Sequence, residues 1–191
     1  TALSCTNSTL TGLPYSDCCV PSQGFLVYSQ NWTAGTLPKD EWTTHGLWPD
    51  FCNGSFSPSN LGCDPSRRYT DVETRLETAI AGDDSLIAKL RKYWFGADGN
   101  RNWFLSHEWT KHATCLSTID PKCYGRNFKK DEDVSDFFRT AVDLRDRFPL
   151  FKVFADKGLV PSTTANYTRQ QFQDALTAAN GFEGAIQCTL G

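Results

Sequence analysis

The chain has 191 residues, a net charge of −3 and a pI of about 5.6, so it lacks the broad basic surface with which many proteins hold nucleic acid. That length supports one domain with a full core, and no apolar run is long enough to span a membrane. Eight cysteines without a Cys-x-x-Cys pattern read as disulfides rather than a metal site, and their spacing alone leaves the connectivity open.

Residues 1–22, rich in Ser, Thr, Pro and Cys, read as an irregular arm held by disulfides. The run from Gly24 to Trp32 is apolar and β-rich and predicts a strand, its continuous apolar half suggesting a central one. Thr43 to Trp48 predicts a second, short strand that Pro49 stops. Strict alternation would place His45 and Leu47 on one side and Thr44, Gly46 and Trp48 on the other. Residues 50–70 carry Gly, Pro, Ser, Asn and two cysteines and read as a long stapled loop.

Helical spacing then takes over. Val72, Leu76, Ala79 and Ile80 follow Thr70-Asp71, an N-cap pattern, and Gly82 ends that helix. Leu86, Ile87, Leu90 and Trp94 predict another, and residues 96–100 a turn. The segment from Phe104 to Cys115 predicts a third helix. After a loop from Pro121 to Lys130, Val134, Phe137, Phe138, Ala141 and Phe148 form the core stripe of a long helix that starts on acidic residues. A further helix from Thr168 to Ala179 turns Phe172, Leu176 and Ala179 inward, and Phe182 to Cys188 predicts a closing strand. No repeat or linker interrupts residues 1–191. The fold class is α+β: one domain with a small, mainly antiparallel sheet packed against several α-helices.

The chain has only three histidines, His45, His107 and His112, and two of them share the third helix with Glu108 and Lys111. At about 100° per residue these four side chains fan over an arc of about 140°. A solvated polar face is the bland alternative, but Trp103, Phe104, Leu105 and Trp109 make the segment too apolar for a surface helix. His-Glu also opens the zinc peptidase pattern His-Glu-x-x-His, which needs its histidines at i,i+4. Here the spacing is i,i+5, which swings them about 140° apart, so no metal is expected.

Two imidazoles of unlike protonation state suit cleavage of RNA. One takes the proton of the 2′-hydroxyl, the other protonates the departing 5′-oxygen, and a Lys or an imidazolium steadies the added charge on the phosphorus. The sequence offers no carboxylate cluster for magnesium, and no Gly-x-Ser-x-Gly elbow for serine hydrolysis. Trp48 and Phe56, close to His45 in sequence, offer stacking surface for a base. Other phosphoryl or acyl transfers could use the same groups.

Thr44-His-Gly-Leu-Trp-Pro49 and Ser106-His-Glu-Trp-Thr-Lys-His-Ala-Thr-Cys115 resemble the two active-site segments of the secreted acid ribonucleases of the Rh/T-two/S-glycoprotein family. Cys18-Cys19 ahead of a strand and Asp120-Pro-Lys-Cys123 look like fungal members. The resemblance implies cleavage of single-stranded RNA with little base specificity, through a 2′,3′-cyclic phosphate and without a cofactor. It implies His112 as general base, His45 as general acid, Glu108 and Lys111 as stabilisers of the phosphorane, and His107 as a phosphate ligand. Trp48 would stack on a base whose edge Asp50 bonds. Phe56 stands where relatives often have Tyr, and Asn31 and Phe104 match a second base pocket. Ala113 stands where relatives usually read Gly.

The resemblance also implies the pairs Cys5–Cys52, Cys18–Cys123 and Cys63–Cys115. The family partners of Cys19 and Cys188 lie in an N-terminal extension and a C-terminal hairpin that this chain is expected to lack; these two cysteines pair with each other, or one is free, or the chain is incomplete. Sequons at Asn7, Asn31, Asn53 and Asn166 predict a glycoprotein, secreted or held in a vacuolar or lysosomal lumen, its leader already removed. A monomer that takes single-stranded RNA as its partner is expected. The alternative is a secreted binding glycoprotein on a ribonuclease fold, which loss of either catalytic histidine would favour.

Overall fold

The computed structural model describes residues 4, 5, 18, 20, 21, 23–33, 38–57, 59–96 and 99–188. Among them, strands β1 (Phe25–Asn31) and β2 (Thr43–Asp50) form an antiparallel pair whose register runs from Phe25↔Asp50 to Asn31↔Thr43. Pro49 does not stop β2; it lies within it, buried, opposite Leu26. A two-stranded sheet has only edge strands, and an edge tolerates the missing N–H of proline. For the same reason β1 is not a buried central strand. Phe25 and Leu26 are 50% and 43% exposed, because no second layer covers them among the described residues.

The alternation of β2 also breaks. Its register steps from Ser29↔Gly46 to Gln30↔Thr44, which leaves His45 as an extra residue, a β-bulge. Thr44 thereby turns to the core face with Leu47. Both are buried, and Thr44 Oγ1 hydrogen-bonds the Tyr28 hydroxyl at 2.9 Å. His45 therefore parts from Leu47 and joins the face of Gly46 and Trp48.

Among the described residues six α-helices follow: α1 (Val72–Ala79), α2 (Asp84–Tyr93), α3 (Arg101–Lys111), α4 (Glu132–Arg147), α5 (Leu150–Ala155) and α6 (Arg169–Asn180). Asp71 precedes α1 but caps nothing with its side chain; its carboxylate pairs with Arg75 instead, at 2.7 Å. Asp83 caps α2 at Leu86 N, and Asn100 caps α3 at Trp103 N, both at 3.0 Å. Thr168 and Gln171 form a reciprocal capping box on α6, which ends at Gly181 with φ +74°. Helix α5, started after Pro149, was not expected from sequence, since six residues are too few to show a period.

Val72, Leu76, Leu86, Leu90, Trp94, Leu105, Trp109, Val134, Phe137, Phe138 and Ala141 pack with Leu47 in the main core. Burying each large apolar side chain contributes roughly 1.5–3 kcal/mol. A smaller cluster joins Phe154, Leu159, Ala175 and Leu176. Ala79 and Ala179, expected inside, are exposed at the last turns of their helices. Phe182 to Cys188 is not a strand: it has no regular secondary structure and pairs with no strand among the described residues, and Phe182 is 55% exposed. Apolar residues alone do not make a strand where no edge stands beside them.

Disulfides join Cys5–Cys52, Cys18–Cys123 and Cys63–Cys115. In the chain-entropy account the last, closing 52 residues, stabilises by about 4 kcal/mol. Cys188 is exposed and unbridged, and Cys19 lies outside the described residues.

Candidate active site

Helix α3 is oriented by what its apolar side buries. Trp109 is fully buried and donates its indole N–H to the Arg67 carbonyl at 2.7 Å, with the Arg67 guanidinium over its ring. Arg67 in turn pairs with Asp133 at 2.9 Å, and both are buried. With Leu105 and Trp109 held inward, the opposite face of α3 presents His107, Glu108, Lys111 and His112. The helix ends at His112, and the Cys63–Cys115 bridge secures the 3-10 turn Ala113–Cys115 that follows.

These four side chains and His45 line one cavity of about 450 Å³, together with Trp48, Asp50 and Phe56. Gln23, Val27, Pro49 and Ser57 line it too, and the sequence offered no signal for them. Gln23 is buried and its Oε1 has no hydrogen-bond partner among the described residues, while its Nε2 donates to Cys63 Sγ at 3.4 Å. A second depression of about 390 Å³, lined by Tyr124, Asp136 and Arg139, holds none of the imidazoles.

Glu108 is the hub. It is 1% exposed and accepts a hydrogen bond from Trp48 Nε1 at 2.9 Å. His45 Nε2 and His112 Nε2 each lie 4.0 Å from one of its oxygens. The Trp48 and His112 rings stack with centroids 5.2 Å apart, and His45 meets Trp48 edge-on at 5.3 Å. The His107 and His112 centroids are 6.3 Å apart. Gly46 lies against Glu108 and Trp48 so closely that a side chain there would strike both.

Phe104 and Asn31 do not line the cavity. The Phe104 ring sits 5.7 Å from that of His45. Asn31 is exposed at the end of β1, and its Oδ1 accepts from Thr43 Oγ1 at 2.9 Å. The sequons at Asn31, Asn53 and Asn166 are exposed, while Asn7 lies outside the described residues.

Burial sets the protonation states. It raises the Glu108 carboxyl to about 7, against the opposing pull of the Trp48 hydrogen bond and the Lys111 charge. It lowers His112 to about 3, helped by Lys111 and the other two imidazoles. His45 is lowered by burial and then by Lys111, and His107 by burial, Lys111 and His45. Burial also raises Asp50. Between these limits Glu108 is a neutral acid that can donate a hydrogen bond, and His112 is a neutral base.

His107, Glu108 and His112 bring one ligand atom each to within 4.8 Å of one another. The i,i+5 spacing does not keep the two imidazoles apart: His112 caps the helix at φ −114°, and its ring centroid lies 6.3 Å from that of His107. The donor set matches the two-His-one-Glu type of a zinc site. Lys111 fits such a site poorly: its charge already disfavours a proton on all three imidazoles and would repel a divalent cation in the same cavity.

The model of the ribonuclease T2 family matches residues 15–191. Ribonuclease Rh of Rhizopus niveus is 39% identical over 191 residues, covering 100% of this chain and 76% of that protein. Ribonuclease Trv of Hypocrea rufa is 39% identical over 190 residues, covering 98% of this chain and 77% of that one. Among solved structures, Actibind, described as a T2 ribonuclease, superposes with a TM-score of 0.78 at 34% identity, covering 90% of this chain and 72% of its own.

Proposed function

Since the chain belongs to the ribonuclease T2 family and is an RNA endonuclease, we propose that it cuts single-stranded RNA without a metal, through a 2′,3′-cyclic phosphate, with little base preference. The observation that carries this reading is the buried Glu108 carboxyl with an imidazole 4.0 Å away on either side.

His112, held neutral by its surroundings, takes the 2′-hydroxyl proton. The 2′-oxygen bonds to phosphorus, the bond from phosphorus to the 5′-oxygen breaks, and protonated His45 gives its proton to that oxygen. As charge builds on the phosphoryl oxygens, the Lys111 ammonium attracts it and the neutral Glu108 carboxyl donates a hydrogen bond to it. An ionised Glu108 would repel the same oxygens. His107 holds the phosphate.

Trp48 and Phe56 offer ring faces to the base on one side of that phosphate, and Asp50 accepts from its edge. Phe104, beside His45, offers a face to the base on the leaving side, and the exposed Asn31 offers that base a polar group. Three disulfides and exposed sequons support a secreted or lumenal glycoprotein; we propose that it acts as a monomer, with residues 1–191 as a single domain. Among the described residues no helix is long and apolar enough to cross a membrane.

The test is digestion of an RNA dinucleotide in excess EDTA on the acid side of neutrality, with products identified by mass. A 2′,3′-cyclic phosphate product, with the matching deoxydinucleotide left intact, is expected. Cleavage that stops in EDTA would contradict the metal-free reading. No cleavage under any condition would point instead to a binding glycoprotein.

A further inference from the structure

We infer that Trp103 is a stacking platform for an additional RNA base, beyond the two that flank the scissile phosphate. The inference rests on the ribonuclease reading above. Trp103 lies in the first turn of α3, one turn before His107, so the two share a helical face. Its ring lies nearly parallel to the His107 imidazole, at 15° with centroids 5.4 Å apart. Yet Trp103 is 56% exposed.

An isolated exposed aromatic on a surface needs no explanation. Trp103 differs in two respects. It is not isolated, because the rings of Trp48, His112, His107 and Trp103 follow one another with consecutive centroids 5.2, 6.3 and 5.4 Å apart. Nor is its backbone loose, because Asn100 caps its amide at 3.0 Å. The indole is thus presented at the end of a row of rings that begins in the cavity.

Phe104, the next residue, turns its ring to His45. The two aromatics therefore serve different sides of the site, and Trp103 is not a second wall of the Phe104 subsite. Bases stack on exposed indoles whatever their identity, since each has a π-face, and such contacts strengthen binding without imposing sequence. A strand whose phosphate sits at His107 would bring a further base to Trp103.

The experiment compares kcat/KM for an RNA hexanucleotide and an RNA dinucleotide, in the native protein, Trp103→Ala and Trp103→Phe, with thermal melts to confirm folding. In Trp103→Ala the advantage of the hexanucleotide over the dinucleotide should shrink about tenfold, mainly through KM, and Trp103→Phe should recover most of it. An unchanged ratio overturns the inference, in either of two ways. If both substrates slow together, Trp103 merely orients His107; if neither slows, it is a bare surface indole. Failure of the native protein to cleave even the dinucleotide would instead sink the ribonuclease reading, and this inference with it.

Discussion

The indole N–H of Trp48 donates to Glu108 Oε2 at 2.9 Å, tying β2 to α3 across 60 positions of the chain. The bond exists because Gly46, two residues before Trp48, has no side chain. The methyl group of an alanine at 46 would collide with both Glu108 Oε2 and Trp48 Nε1. Gly46→Ala should therefore break the link, displace the carboxyl from between the two imidazoles and cost about 1–3 kcal/mol of stability. Turnover should fall at least about tenfold, because misplacing a catalytic group by about 1 Å is expensive. Steady-state kinetics and a thermal melt check both halves, and a stable variant with native turnover would show that the link does no catalytic service.

The rate should peak on the acid side of neutrality. His112 acts as a base only when neutral, which holds above its depressed pKa of about 3. His45 acts as an acid only when protonated, which holds below a pKa lowered from 6.5. The neutral Glu108 carboxyl is lost as pH rises through about 7. The profile of kcat/KM should thus rise through the first value and fall before the last. His112→Ala should lower kcat by about 10² or more and remove the acidic limb. A plateau reaching into alkaline pH would contradict the assignment of His45.

Glu108→Gln should stabilise the fold at neutral and alkaline pH. The folded-state pKa of Glu108, about 7, lies above its ordinary 4.5, so folding binds its proton more tightly than the unfolded chain does. That contribution is complete below the ordinary value and is lost as pH rises through the folded one. A glutamine stays neutral throughout, and its side-chain oxygen can still accept from Trp48. The difference between variant and native melts should be near zero at about pH 4 and grow to at most about 3 kcal/mol above neutrality. A constant offset across pH would show that burial does not hold this carboxyl protonated.

Much of the site was legible in the linear chain. Three histidines, all in two short segments, and the order His107, Glu108, Lys111, His112 marked one face of one helix, because helical geometry is local. Thr168 marked a helix start for the same reason, since a cap bonds an amide two or three residues away, whereas Asp71, read in the same way, turns its carboxylate to Arg75 instead. The partner of Glu108 was not legible in this way. Nor was the bulge that moves His45 from the side of Leu47 to that of Trp48, since the register of β2 depends on β1, which packs against it from elsewhere in the chain.

The type and spacing of the acid–base groups were thus determined by sequence alone. Their protonation states were decided by tertiary structure. Glu108 is a neutral acid rather than a surface carboxylate because Trp109 and Leu105 pull its helix into the core and Gly46 lets β2 close over it, a burial that outweighs the pull of the Lys111 charge in the same cavity. Desolvation is a property of everything packed around a group, and His45, Gly46 and Trp48, which close over Glu108, come from elsewhere in the chain.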